Sequence, residues 1–397
     1  MARRAEPSSL VFMIAVTAII AVVPLSLNIF LPSMPGLTTT FGTGFDTVQL
    51  GLTLFLAGLA VAQLVYGPLS DKFGRRPVLL VGLGLFLIGT VICLAASSIE
   101  ALIFGRVVQA LGGGAGLVLG RAIVRDLFDR EQTASKLAYV NMGMVVAPMM
   151  APAVGGYLDV WFGWRATFVF VLVFGGLVAA GVLRVLHETR QPVTGDTLSF
   201  ANLLAGFAHL MRIRAFRGYA FQGAFSVGVF FAFVGGTPYI MAELLGRPPN
   251  EYGLYFIGVA ASFMAGNFVA GRLSPIVGVD RMITLGSIVA LIATAVLSSV
   301  MALSELTPLL LFGSMAGVGL GNGMSVPNSL AGVVSVDPSR AGAAAGFSGF
   351  LQMTMGAATS YIVGLLLSES AWPMVIAMTL AAILSLVSHL LGQRAER

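Results

Sequence analysis

The chain is a succession of apolar runs, each about 20 residues long, and this pattern limits its fold more than any other feature. A helix of that length crosses the hydrocarbon core of a bilayer. Inside lipid every backbone N–H and C=O must be bonded within the protein, which leaves only helices or closed barrels. The runs are continuous and lack the two-residue alternation of barrel strands, so helices are expected. Twelve spans can be marked, at 10–32, 47–68, 77–97, 101–122, 135–158, 164–186, 217–241, 252–274, 281–302, 306–328, 341–366 and 372–391. Charged residues are 10% of the 397, against roughly 25% in soluble domains, so most of the surface should meet lipid. The predicted class is an all-α integral membrane protein with twelve transmembrane helices. Arg3 and Arg4 give the first run the look of a signal peptide. It is too long for one, and Asn28, Pro32 and Pro35 stand where small residues would mark cleavage, so it is expected to be retained. Cys93, the single cysteine, lies mid-span and excludes a disulfide or cysteine-metal framework.

Positive charge sets the expected orientation. Of 22 Lys and Arg, Arg106 lies in a span, and Arg165 and Arg247 fall in odd-numbered loops. The other 19 lie in the two tails and the even-numbered loops or at their edges. Both termini and all even loops should therefore face the cytoplasm. The net charge of +5 follows from this topology. Basic residues divided among short loops do not make a nucleic-acid surface, and none is expected.

The loop after span 2 reads "GPLSDKFGRRP", residues 67–77, with Asp71, Lys72, Arg75 and Arg76 between two apolar runs. Orientation accounts for the positive charges. It does not account for Asp71, or for Gly67 and Gly74, which permit a tight reversal. "GRLSPIVGVD" at 271–280 repeats Gly, Leu, Ser and Gly at the same spacing, 204 residues later. "FGRVVQALGG" at 104–113 has a fainter echo in "FGSMAGVGLG" at 312–321. Both echoes are in register with six spans plus six and point to a duplicated unit. The expected division is an N-terminal half at 1–186, a cytoplasmic linker at 187–216 and a C-terminal half at 217–397. Transporters built this way place substrate between the halves, near the bilayer midplane.

These motifs resemble those of the major facilitator superfamily of transporters, along nearly the whole chain. "GPLSDKFGRRP" resembles the superfamily's loop 2–3 signature. "IFGRVVQALGGGAG" (103–116) is similar to the helix-4 signature of proton-linked members, and "APAVGGYL" (151–158) to the helix-5 signature of drug antiporters. "NIFLPSMP" (28–35), "VPNSLAGVV" (326–334) and "GFLQMTMGA" (349–357) resemble the bicyclomycin- and phenicol-resistance exporters. The resemblance implies alternating access, drug:proton antiport and a charged latch on the cytoplasmic side. There Asp71 would pair with Arg121 or Arg125, or face a helix N-terminus of the other half. The second copy of the loop has Pro275 in place of the acid.

Several residues then become candidates. Arg106, a charge inside a span, either snorkels to the interface or faces the cavity beside Gln109, one turn away. No acid lies within any span, so backbone carbonyls, water or substrate must satisfy it. Asn28, Gln63, Asn141, Gln222, Asn267, Asn322 and Gln352 are polar at membrane depth and should face inward. Phe30, Phe225, Phe230, Phe233 and Tyr239 offer aromatic surface to a lipophilic ligand or to packing. Gly112, Gly116 and Gly120, and Gly143, Ala147, Ala151 and Gly155, form small-residue ladders that bring helices close. Pro148 and Pro152 should bend span 5. Substrate or coupling roles are expected for Asn28, Phe30, Arg106, Gln109, Asn141, Gln222, Phe225, Phe233, Asn322 and Gln352. Gating roles are expected for Gly67, Asp71, Gly74, Arg75, Arg121, Arg125, Pro152, Gly155 and Gly156.

The reading is a monomeric exporter of small lipophilic compounds in a bacterial inner membrane, not an enzyme. No phosphate loop is present and no cofactor is expected; a proton gradient is the energy source implied by the resemblance. The exporters it resembles commonly carry an aspartate where this chain has Asn28, and an amide carries no proton at ordinary pH. Neutral or anionic substrates are therefore expected over lipophilic cations. An importer or facilitator of a metabolite is the alternative in the same fold, and a receptor or scaffold the alternative of another class.

Overall fold

A computed structural model describes residues 10–128, 149–189 and 200–393, with the side chains of 200–203 excepted. Helix α1, Leu10–Phe30, passes through a 3-10 turn at Leu31–Ser33 into α2, Met34–Phe41. Pro32 and Pro35 break the ladder there, because neither has an N–H to give. The next helices are α3 (Phe45–Phe73), α4 (Arg75–Leu94) and α5 (Ile99–Leu127). A helix through 149–162 is α6. After it come α7 (Arg165–Val185), α8 (Phe200–Arg212), α9 (Arg214–Tyr239), α10 (Pro249–Val277) and α11 (Val279–Leu303). The chain ends with α12 (Pro308–Val336), α13 (Ala341–Leu366) and α14 (Trp372–Gln393). Among the described residues there are no strands, and 11 helices are long and apolar enough to span a membrane. The expected fifth span is described only from residue 149.

One expectation needs correcting. The island at 67–77 is hardly a loop: α3 runs to Phe73, α4 begins at Arg75, and Gly74 alone separates them. Charges end an apolar run without ending a helix, because a helix can continue past the hydrocarbon. The segment expected as the linker contains a helix. Its later part is α8, which stays with the bundle through Phe207, stacked on Phe347 of α13 at 4.4 Å.

The repeat has a backbone counterpart. Gly74 has φ 92° and ψ 154°, and its N–H bonds Ser70 O at 3.0 Å. Gly278 has φ 91° and ψ 153°, and its N–H bonds Ser274 O at 3.0 Å. Only glycine takes such a conformation without strain. Helix contacts repeat as well. A Cβ on Gly112 of α5 would meet Gly82 O of α4 at 2.5 Å, and one on Gly286 of α11 would meet Gly321 O of α12 at 2.5 Å. Small residues let these backbones touch, which is how helices gain packing energy in lipid.

Helices α1–α7 pack chiefly among themselves, as do α9–α14, and α3 lies along α13 between the two sets. Large apolar side chains such as Val81, Ile88, Val173, Leu177, Ile292 and Leu380 point outward. In water such a surface would aggregate; in a bilayer it is the solvent-matched face.

Candidate functional site

The most demanding residue in the bundle is Arg106, 0% exposed on α5. Phe104, two residues earlier, is 60% exposed, so the arginine is on the face turned inward. Its Nη1 donates to Gln109 Oε1 at 2.6 Å and to Ser26 O and Oγ of α1 at 3.2 and 3.3 Å. Gln109 Nε2 donates in turn to Thr90 Oγ1 of α4 at 2.8 Å, and Thr90 donates to Phe86 O. That chain orients the Gln109 amide and leaves its oxygen for the guanidinium. Phe55 of α3 and Phe30 of α1 lie 4.0 and 4.7 Å from the guanidinium carbon, measured to their ring centres. Aromatic faces stabilise a cation, the more so where water is absent. Arg106 is therefore buried in the interior rather than snorkelling, and the backbone carbonyl expected as its partner is that of Ser26. Asn28, one turn from Pro24, donates to Pro24 O at 2.7 Å, and its Oδ1 is buried without a partner.

The C-terminal set holds a neutral polar cluster in its interior. Gln222 Nε2 of α9 reaches Ser226, Ser287 and Ser385 hydroxyls at 3.0, 3.2 and 3.3 Å. Asn322 of α12 donates to Ser226 O at 3.0 Å. The amide oxygens of Gln222 and Asn322 are buried and unbonded. Four helices, α9, α11, α12 and α14, meet there through uncharged groups. Gln352 of α13 donates to Ser348 at 3.4 Å and lies against Gly223 of α9.

The charged island makes a different network from the one expected. Asp71 pairs with Arg75 at 2.8 Å, and Arg75 Nε bonds Asp126 of α5 at 2.8 Å. The Arg75 side chain is 2% exposed and also reaches Ser70 Oγ. Spacing decides this: residues 71 and 75 are neighbours across the turn, while Arg121 and Arg125 stay exposed. Arg125 Nη1 lies 3.7 Å from where a Cβ on Gly342 of α13 would be, so it faces the start of a C-terminal helix. Glu188, just beyond α7, accepts from the backbone N–H groups of Arg75 and Arg76 at 2.8 and 3.1 Å. A carboxylate there complements the positive end of α4. Glycine at 74 leaves room for this approach, since a Cβ would come 2.6 Å from Glu188 Oε2 and displace it. Gly67 has open space at its Cβ position.

At the opposite end of the bundle the two sets of helices touch directly. Gln49 of α3, fully buried, donates to Ser360 O of α13 at 3.2 Å and to its hydroxyl. Pro152, Gly155 and Gly156 form one contact patch on α6. Gly155 backs onto Ile29 of α1, and a Cβ on Gly156 would sit 2.6 Å from Pro249 O of α10. The Pro152 carbonyl faces Gly253, also of α10. The aromatic candidates are mostly in mutual contact. Phe233 packs edge-on against Phe312 at 5.4 Å, Phe230 against Phe231 at 5.2 Å, and Tyr239 against Phe45 at 4.9 Å. Phe225 lies 6.3 Å from Phe221. Asn141, Gly143, Ala147 and Pro148 lie outside the described residues. Sequence reasoning missed Ser26, Phe55 and Thr90 around Arg106, the serines around Gln222, and the Gln49–Ser360 pair. Gln49 alone carried a signal, being an amide early in an apolar run.

The fold and its buried polar centres define a multi-pass membrane protein, and comparison with known proteins gives its family. The chain belongs to the Major Facilitator Superfamily, whose sequence model matches residues 16–360. It is 33% identical to a chloramphenicol resistance protein of Pseudomonas aeruginosa, over 94% of this chain and 89% of the relative. It is 26% identical to a bicyclomycin resistance protein homolog of Haemophilus influenzae, over 97% and 96%. Among solved structures a D-xylose-proton symporter superposes with a TM-score of 0.74, covering 95% of this chain and 97% of that one at 15% identity. The chain is a transporter rather than an enzyme.

Proposed function

We propose that this chain exports small lipophilic compounds, neutral or anionic, by alternating access in a bacterial inner membrane. Relatives named for chloramphenicol and bicyclomycin resistance support the export of drug-like molecules. The charge preference rests on one observation: Arg106 is fully buried, while each acid in the described residues lies at a helix end or outside the helices. A buried cation without a counter-ion costs several kcal/mol, and it disfavours a second cation beside it. The termini and the charged island face the cytoplasm, following the distribution of Lys and Arg. Two halves, 1–186 and 217–397, rock about the linker at 187–216. In the conformation described, the Gln49–Ser360 and α6–α10 contacts close the periplasmic end. Arg106, Gln109, Asn28 and Phe30 serve the N-terminal side of the substrate path, and Gln222, Asn322, Phe225 and Gln352 the C-terminal side. Phe233 supports that wall from behind, and Asn141 is assigned to the path on its residue type and span.

The test is efflux from cells expressing the chain, using lipophilic compounds matched in size and differing in charge. Neutral and anionic members should accumulate less than in control cells, and cationic members equally. Preferential export of the cations would refute the charge assignment. Energy-dependent accumulation of the compounds would favour the importer.

A further inference from the structure

Arg106 has five N–H bonds to give, and the structure uses only one edge of them. Nη1 makes every hydrogen bond of the side chain among the described residues, to Ser26 O, Ser26 Oγ and Gln109 Oε1. Nε and Nη2 are both buried and both without a hydrogen-bond partner. Those two nitrogens present parallel N–H bonds along one edge of the guanidinium, in its plane. This is the edge that meets a carboxylate with two hydrogen bonds at once. Arginine keeps its charge in any ordinary environment, so the site cannot relieve itself by losing a proton. Buried donors left unmade are costly, and more so on a charged group. Phe30 and Phe55 beside the guanidinium exclude water and offer no acceptor oxygen. Thr90 and Gln109 fix the opposite edge, so the free edge is held in one orientation.

We infer that the Nε/Nη2 edge of Arg106 is a carboxylate-binding site that holds the head of an amphiphilic export substrate, its apolar body against Phe30 and Phe55. This deepens the export reading above and rests on it for the word substrate. The binding claim stands separately. A planar two-oxygen anion matches both donors together, whereas an amide offers them one oxygen and no charge.

The test uses the purified full chain in detergent and two probes with the same body, 4-phenylbutyrate and 4-phenylbutyramide. Calorimetry should show the carboxylate bound at least about tenfold more tightly than the amide, as charge-assisted bidentate contacts imply. Arg106→Gln should abolish the preference. Because that variant loses a buried network and could misfold, Gln109→Glu is the second arm. It places a carboxylate where Nη1 already bonds, neutralises the guanidinium internally, and should erase the carboxylate preference. Equal binding of both probes by the wild-type chain would overturn the proposal, as would a preference that survives in Gln109→Glu. Efflux of a neutral compound, measured in parallel, separates the outcomes. If efflux persists without any carboxylate preference, the site is wrong and the export reading is untouched; if efflux is absent, the export reading fails on its own.

Discussion

Arg106 concentrates the chemistry of this chain in one side chain. It was legible in the sequence because a charge inside an apolar run is expensive and must face something polar. Its partners were not legible. Ser and Thr occur throughout membrane helices, and nothing in the sequence separates Ser26 and Thr90 from serines that bond their own helix. Which edge of the guanidinium is engaged also depends on distances that sequence does not carry. Arg106→Ala should abolish efflux. Arg106→Lys should impair it, because a point-like ammonium cannot bond Ser26, Gln109 and a ligand in one plane. Efflux assays on membranes with matched protein levels check both, and normal transport by Arg106→Ala would remove the residue from the mechanism.

At the scale of elements, the turn between α3 and α4 was foreseen as special, and its internal wiring was not. The glycine at 74 and its twin at 278 are readable from the repeat, since both sequences need a residue free to take positive φ. The pairing of Asp71 with Arg75 rather than Arg121 or Arg125 follows from α3 continuing to Phe73. A hydropathy boundary at residue 68 hides that continuation. Glu188 closing onto the start of α4 is a contact over more than a hundred residues, with no local signature. Arg75 is the centre of the network and buried, whereas Asp71 is 39% exposed. Arg75→Ala, which removes charged hydrogen bonds to Asp71, Asp126 and Ser70, should therefore cost roughly 1–3 kcal/mol of stability. Asp71→Asn should cost below about 1 kcal/mol yet lower transport. Thermal unfolding in detergent and efflux in cells separate the two effects. Equal destabilisation by both variants would show that the arginine is not the hub.

For the whole molecule, the twelve-helix class was fixed by run length, because lipid leaves the backbone so few options. The meeting of the two helix sets was invisible, since it depends on how α3 lies along α13. Gln49 marks that contact. A Cβ added at Gly364 of α13 would lie 2.9 Å from Gln49 Cβ, closer than a disulfide's usual spacing of about 3.5–4.5 Å, so the two helices must part slightly to admit the bridge. Gln49→Cys combined with Gly364→Cys, in a Cys93→Ser background, should cross-link on mild oxidation and stop transport, and a reductant should restore it. A pair that stays reduced, or that cross-links without loss of transport, would show that this contact does not open during the cycle.

A cation-bearing interior without a mid-membrane acid is proposed to carry neutral or anionic compounds, and the amide at Asn28, which holds no proton, is proposed to leave proton coupling weak. Substrate-driven proton movement in liposomes, compared for this chain and for Asn28→Asp, tests it most directly. The account predicts little proton movement for the chain as it stands and a marked rise once residue 28 can hold a proton. Exchange of protons for substrate at the rate of Asn28→Asp by the unaltered chain would contradict it.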